Sequence, residues 1–334
     1  SGGELTTVVS DVVERLEAHG ASVRLSSEVD LPAALDPYRL DVAPERMHDL
    51  LYHTDLALFD GATTAAESAL LATPAVYVNP RSLGYIAVNG PETAQERWEE
   101  EAGFSPSSIA AEIAGLCCGA ALAVAEADRI EADRIEADGG VAEAEALPES
   151  RRADALAWLA LADDWTASVD EWCATTTGTE RHVETPYYVR VTADGNPESG
   201  RPRTIANDGP TYDEREIIDG GFLELVRLGI KPADHEAVCN SVSVVDDSIR
   251  VDTPYGPGWY RYVGDAYGEI ARGDPGGPWA GTGDGRGRLW PIFTGERGEY
   301  ELRARADGPD GFGGTDEDAL EPGALLETMA GFGN

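Results

Sequence analysis

Apolar positions recur at helical spacing over residues 5–19, where Leu5, Val8, Val9, Val12, Val13 and Leu16 share one face and Gly20 ends the run. SVRLSSE (22–28) then reads as a strand and PERMHDLLYHT (44–54) as a helix, with Pro44 suited to a first turn. LALFD (56–60) predicts a strand, GATT (61–64) a turn, AAESALLA (65–72) a helix and AVYVN (75–79) a strand. Strand, turn, helix and strand with short connections predict a βαβ unit and a parallel sheet. From Ala87 the alternation stops. Long helices are predicted over 106–127, 151–176, 212–229 and 233–245, joined by loops rich in Gly, Pro and aromatics. Helices of this kind pair around a ring and leave binding loops on one rim. Between the first two lies EADRIEADRIEAD (126–138), a six-residue unit repeated almost in tandem. It reads as a solvated acidic insertion spanning 122–150.

Charge changes the picture. The 334 residues carry 25 Lys plus Arg against 62 Asp plus Glu, a formal charge of −37. Lys231 is the one lysine; the other basic residues are arginine. Phosphate neutralisation needs clustered basic side chains, so a nucleic-acid partner is excluded, and anionic membrane surfaces are disfavoured. Acid excess of this size fits a salt-rich cytoplasm, where like charges are screened over about 3 Å at ~1 M salt. With 42% hydrophobic residues the chain still has material for a core. Cys117, Cys118, Cys173 and Cys239 form no CxxC pair and read as small buried hydrophobes, with neither a disulfide framework nor a metal site expected. No apolar run approaching 18 residues is evident, so no membrane span is predicted. The N-terminus lacks a signal-peptide pattern, and the absence of an initial Met reads as entry partway through a gene.

The turn at Gly61, Thr63 and Thr64 precedes a helix carrying Glu67. Free N–H groups at such a helix start attract phosphate, and Glu67 could accept from ribose hydroxyls. A plain βα turn with a surface Glu fits the same spacing. LYHTDLALFDGATTAAESALLATPAVYVNPRSLGYI (51–86) resembles the C-terminal half of an uncharacterised archaeal family similar to UDP-N-acetylglucosamine 2-epimerases and GT-B glycosyltransferases. The resemblance, over about residues 4–86, implies nucleotide-sugar contacts at Gly61, Thr63, Thr64 and Glu67.

The second segment opens with a Trp beside three carboxylates, Trp98 followed by Glu99, Glu100 and Glu101, just before a helix. An indole can carry the apolar face of a sugar ring. A carboxyl packed against it among other carboxylates is suited to general acid work. An acidic, solvated helix approach is the alternative.

Five ordered stretches extend the pattern: ERWEEEAGFSPSSIAAEIAGL (96–116), ADDWTASVDEWCATTTG (162–178), TYDEREIIDGGFLELVRLGIKPADH (211–235), VDTPYGPGWYRYVGDAYGE (251–269) and GRLWPIFTGERGEYEL (287–302). Together they resemble the catalytic domain of prokaryotic glucoamylases, glycoside hydrolase family 15, over about 87–334. The resemblance implies a mixed fold: a partial (α/α)6 barrel, mostly α, preceded by a small α/β Rossmann-like half domain over 1–86. It implies inverting release of glucose from the non-reducing ends of α-glucans, with no cofactor. Glu99 would be the general acid, Glu100 would bind the sugar and Trp98 would support the site. Arg288 would hold hydroxyls through its planar fork. Trp290, Tyr255, Trp259, Tyr260, Tyr262 and Tyr267 would line the subsites.

Inversion requires a second carboxylate roughly 6.5–9.5 Å away to activate water. The family's base follows the helix that 320–334 would form. Glu317, Glu321 and Glu327 lie too early to match it. The expectation is therefore a fragment carrying the acid without its base. Two alternatives stand beside it, a GT-B-type nucleotide-sugar enzyme fragment and a non-catalytic remnant that binds maltooligosaccharide. An incomplete helical ring would also expose apolar faces and favour self-association.

Overall fold

The structure is a computed structural model that describes residues 2–26, 31–40, 42–43, 46–59, 68, 73–77, 84–136, 146–206, 209–265, 267–270, 285–307 and 320–332. The chain divides into two compact units, Ser1–Pro80 and Arg81–Asn334, six residues before the boundary expected at 86.

In the first unit, helix α1 (Gly2–Ala18) and the short helix α2 (Met47–Tyr52) accompany strands β1 (Ala57–Phe59) and β2 (Ala75–Tyr77). β1 and β2 pair in parallel, Ala57 opposite Ala75 and Phe59 opposite Tyr77, as the βαβ pattern predicts. Val13, Leu35, Leu51 and Ala57 are buried. The strand expected over 22–28 reduces to one bridge between Leu25 and Arg39, with 27–28 outside the described residues. Gly61, Thr63, Thr64 and Glu67 also lie outside them.

The second unit is mostly helical. A short helix α3 (Gly84–Asn89) leads through a loop into α4 (Pro106–Glu136), followed by α5 (Ala146–Cys173). The two long helices run antiparallel: Ala123 clusters with Ala155, and Ile109, Ile113 and Leu116 share a core with Ala162, Trp165 and Val169. The repeat expected to loop out continues α4 as far as Glu136, because Glu, Ala and Arg are good helix formers. Arg129 pairs with Glu126 three residues away, and Arg152 of α5 reaches Glu131 and Asp128, each at 2.7 Å. Its Ala-rich first part makes Pro106–Ala132 long and apolar enough to cross a membrane by length and composition, contrary to the expectation of no such run. Here it lies along α5. Cys117 and Cys118 are exposed on α4, contrary to the expected burial, because the buried positions of that turn are Leu116, Gly119 and Ala120.

Short paired strands follow: β3 (Ala174–Thr175) with β4 (Tyr187–Tyr188), and β5 (Pro202–Thr204) with β6 (Thr211–Asp213). The helix predicted over 212–229 is only α6 (Leu223–Arg227). Asp213 instead caps a 3-10 turn through Arg215 N, and Asp219 turns the chain by accepting from Gly221 N. Helix α7 (Glu236–Ile249) enters hairpin β7 (Arg250–Thr253) and β8 (Gly256–Trp259). Strands β9 (Gly268–Ile270) and β10 (Gly285–Gly287) precede a helix that the pattern did not predict, α8 (Pro291–Asp307), against which α9 (Pro322–Gly331) packs. One core runs from α4 and α5 through Phe222, Leu225, Val238 and Val245 to Phe293 and Tyr300.

Candidate active site

The acidic motif forms a closed loop. Thr93 and Gly103 exchange backbone hydrogen bonds at 2.9 Å, and Phe104 then pairs with Thr192. Gly103 has φ of 138°, and a Cβ there would fall 2.1 Å from the Thr192 carbonyl oxygen, so only glycine closes this loop. Inside it, Glu96 N donates to Glu101 O and Glu99 N to Glu96 O, each at 2.8 Å, while Gln95 Nε2 donates to Glu99 O at 3.2 Å. Glu99 takes φ of 59°, the one left-handed residue other than glycine among those described.

That conformation sends three consecutive carboxylates to three environments. Glu99 is exposed, with no side-chain partner among the described residues. Glu100 is half-buried. Its Oε2 accepts from Arg190 Nη2 at 2.9 Å and from the Tyr262 hydroxyl at 2.5 Å, and its Oε1 lies 3.1 Å from Arg261 Nη2. Glu101 accepts from Arg203 Nη1 at 2.7 Å.

Trp98 is anchored from below. Its Nε1 donates to Asp219 Oδ2 at 3.1 Å, and its backbone N donates to Glu96 Oε2 at 3.0 Å. Phe293 meets the indole edge-on at 5.3 Å, and Trp290 lies tilted at 6.2 Å. The guanidinium groups of Arg97 and Arg261 lie 5.0 and 5.3 Å from the ring centre. Arg97 is fixed by a two-toothed pair with Glu296 at 2.7 and 3.3 Å. Burial pushes Glu96 above the usual carboxylate range although Arg190 opposes the shift, and it pushes Asp219 up against Arg97 in the same way. These charged groups lie beneath an indole whose neighbour, Glu99, faces solvent.

The structure brings Trp98, Glu99, Glu100, Tyr262 and Trp290 to one place. Tyr267 joins them through Arg261, whose guanidinium lies 4.7 Å from its ring. Trp259 is instead a core residue, buried with Nε1 donating to Asp246 Oδ1 at 2.9 Å, because β8 turns it inward. Tyr255 sits on the turn of the β7–β8 hairpin, edge-on to Phe332. Arg288 is exposed ahead of α8, and Tyr260 is half-buried. A polar cleft bordered by Tyr260, Tyr262 and Asp265 is also lined by Arg181, Tyr212 and Ser248.

Three residues of the site escaped the sequence reading: Arg190, Arg261 and Asp219. Arg190 stands in the apolar run YYVRV, and Arg261 between two tyrosines in WYRYVGD; a charge inside such runs is the available signal. Of the late carboxylates, Glu321 is held by Arg305 at 2.9 Å. Arg305 stands 12 residues beyond Phe293 on α8, about 18 Å along the axis. Glu327 is exposed on α9, and Glu317 lies outside the described residues.

Known proteins carry the same pattern. The profile of Glycosyl hydrolases family 15 matches residues 51–330. A glucoamylase from Clostridium sp. (strain G0005) is 38% identical over 245 residues, which cover 73% of this chain and 31% of the relative. The crystal structure of a bacterial glucoamylase complexed with acarbose superposes with a TM-score of 0.60 at 36% identity, over 75% of this chain and 31% of that one. The chain thus spans about a third of the length of the relatives it matches.

Proposed function

The chain belongs to glycosyl hydrolases family 15, and from that premise we propose that its second unit carries the acid side of a glucoamylase-type site acting on α-glucans. The observation behind this reading is the left-handed Glu99, presented to solvent between a braced indole and an occupied Glu100. Strained backbone of this kind collects where geometry serves chemistry.

In this reading Glu99 protonates the glycosidic oxygen as the bond to the anomeric carbon breaks. Water activated by a second carboxylate attacks the opposite face and inverts the centre. Trp98 supports the apolar face of the sugar, and Glu100, already oriented by Arg261 and Tyr262, accepts from a sugar hydroxyl. Glu321, held by Arg305 far along α8, is not set to be that second carboxylate. The high negative charge fits a protein that works in concentrated salt.

Glucose release from maltotriose in multimolar KCl checks the assignment. We expect release to fall by about 10²–10⁴-fold in Glu99→Gln. Equal release from both proteins removes Glu99 from the chemistry. Maltotriose binding without release by either identifies the chain as the glucan-binding, acid-bearing part alone.

A further inference from the structure

We infer that Arg190 is a positioning residue that locks the two ends of the acid turn and so fixes where Glu100 meets a sugar; this rests on the reading of Glu99 and Glu100 just given. Arg190 follows β4 in the run Tyr187–Val191, whose members are all buried, and it is itself 1% exposed. Burying a guanidinium is costly unless its partners repay the lost hydration. An Arg–carboxylate pair commonly uses the planar fork two-toothed, as Arg97 does with Glu296. Arg190 does otherwise. One nitrogen, Nη2, serves two carboxylates, Glu96 Oε1 at 2.7 Å and Glu100 Oε2 at 2.9 Å. Its Nε has no partner among the described residues. Its Cζ lies 3.7 Å from the centre of the Tyr262 ring, which packs the guanidinium in place against the two acids.

Glu96 and Glu100 bracket Trp98 and Glu99. Glu96 also accepts from Trp98 N, and its carbonyl receives Glu99 N. One buried nitrogen therefore ties the backbone hold on the acid turn to the carboxylate that addresses substrate. Lysine at this position would keep the charge but lose the flat face and the shared geometry.

Maltotriose affinity, read by tryptophan fluorescence in multimolar KCl below the unfolding temperature of each protein, tests this. The proteins are the unaltered chain, Arg190→Lys, Glu100→Gln and the double variant. We expect Arg190→Lys to weaken binding about tenfold, the scale of one charge-assisted hydrogen bond. In the Glu100→Gln background the same change should cost little more, because Arg190 acts through Glu100. Unchanged affinity in Arg190→Lys, or a full additional loss in the double variant, overturns the inference, since a merely structural arginine would shift unfolding without this dependence. If Arg190→Lys does not fold, Glu96→Asp replaces it. That change keeps the guanidinium and draws back its other anchor, so binding should weaken only while Glu100 is present; equal affinity overturns the inference. Equal binding by the unaltered chain and Glu100→Gln instead overturns the parent reading that Glu100 holds sugar.

Discussion

Glu99 shows how one backbone angle sorts three identical side chains. An L-residue in the left-handed region costs roughly 1–2 kcal/mol, and the closed loop from Thr93 to Gly103 imposes that conformation. Because the Glu99 side chain is exposed, its removal loses little packing. Glu99→Gly should therefore unfold at equal or higher denaturant than the unaltered chain, by up to about 1 kcal/mol, while Glu99→Ala keeps the strain and gains nothing. Urea titration of both variants measures this, and a clear loss of stability in Glu99→Gly would show that the angle is not strained. Trp98, Glu99 and Glu100 were legible in the sequence because they are contiguous. Arg190, Arg261 and Asp219 were not, because they reach the site from chain positions 90 or more residues away.

At the scale of elements, α4 carries a group that its own pattern does not explain. Glu112 faces the core side of the helix beside Gly90, and its Oε2 has no partner among the described residues. A Cβ on Gly90 would fall 2.8 Å from that oxygen and 2.4 Å from Trp165 Cη2, so glycine makes room for both. Burial pushes Glu112 up to about 7 from an ordinary 4.5. The unfolded chain ionises it first, so stability falls as pH rises from about 4.5 through about 7 and levels off above. Glu112→Gln should remove that fall, raising stability at pH 8 by on the order of 2 kcal/mol after discounting solvent screening, and leaving pH 4 unchanged. Thermal unfolding at the two pH values decides. The same scale explains α8. Pro291, Gly295 and Gly298 mask its helical pattern, yet a Cβ on Gly295 would fall 3.2 Å from Met329 Sδ, so glycine there lets α9 approach closely.

For the whole molecule, charge is the governing quantity. With −37 formal charges, self-repulsion opposes the compact state, and its range shrinks from about 10 Å at 0.1 M salt to about 3 Å at 1 M. The midpoint of thermal unfolding should rise by at least about 5 °C between 0.1 and 2 M KCl, equivalent to roughly 2 kcal/mol. Calorimetry across that series measures it, and a flat midpoint would mean that arginine pairing already offsets the repulsion.

The sequence by itself determined what depends on neighbours along the chain. The existence of helices α1, α4 and α5, the parallel β1–β2 pair and the Trp98–Glu100 motif each follow from local spacing or composition. Only the tertiary structure decided the rest. It turned Trp259 into the core, brought Arg152 of α5 onto Glu131 of the acidic repeat, and set one arginine nitrogen between Glu96 and Glu100. Those outcomes depend on which distant surfaces meet once the apolar faces are buried, and burial, not sequence order, sets the cost of each charge.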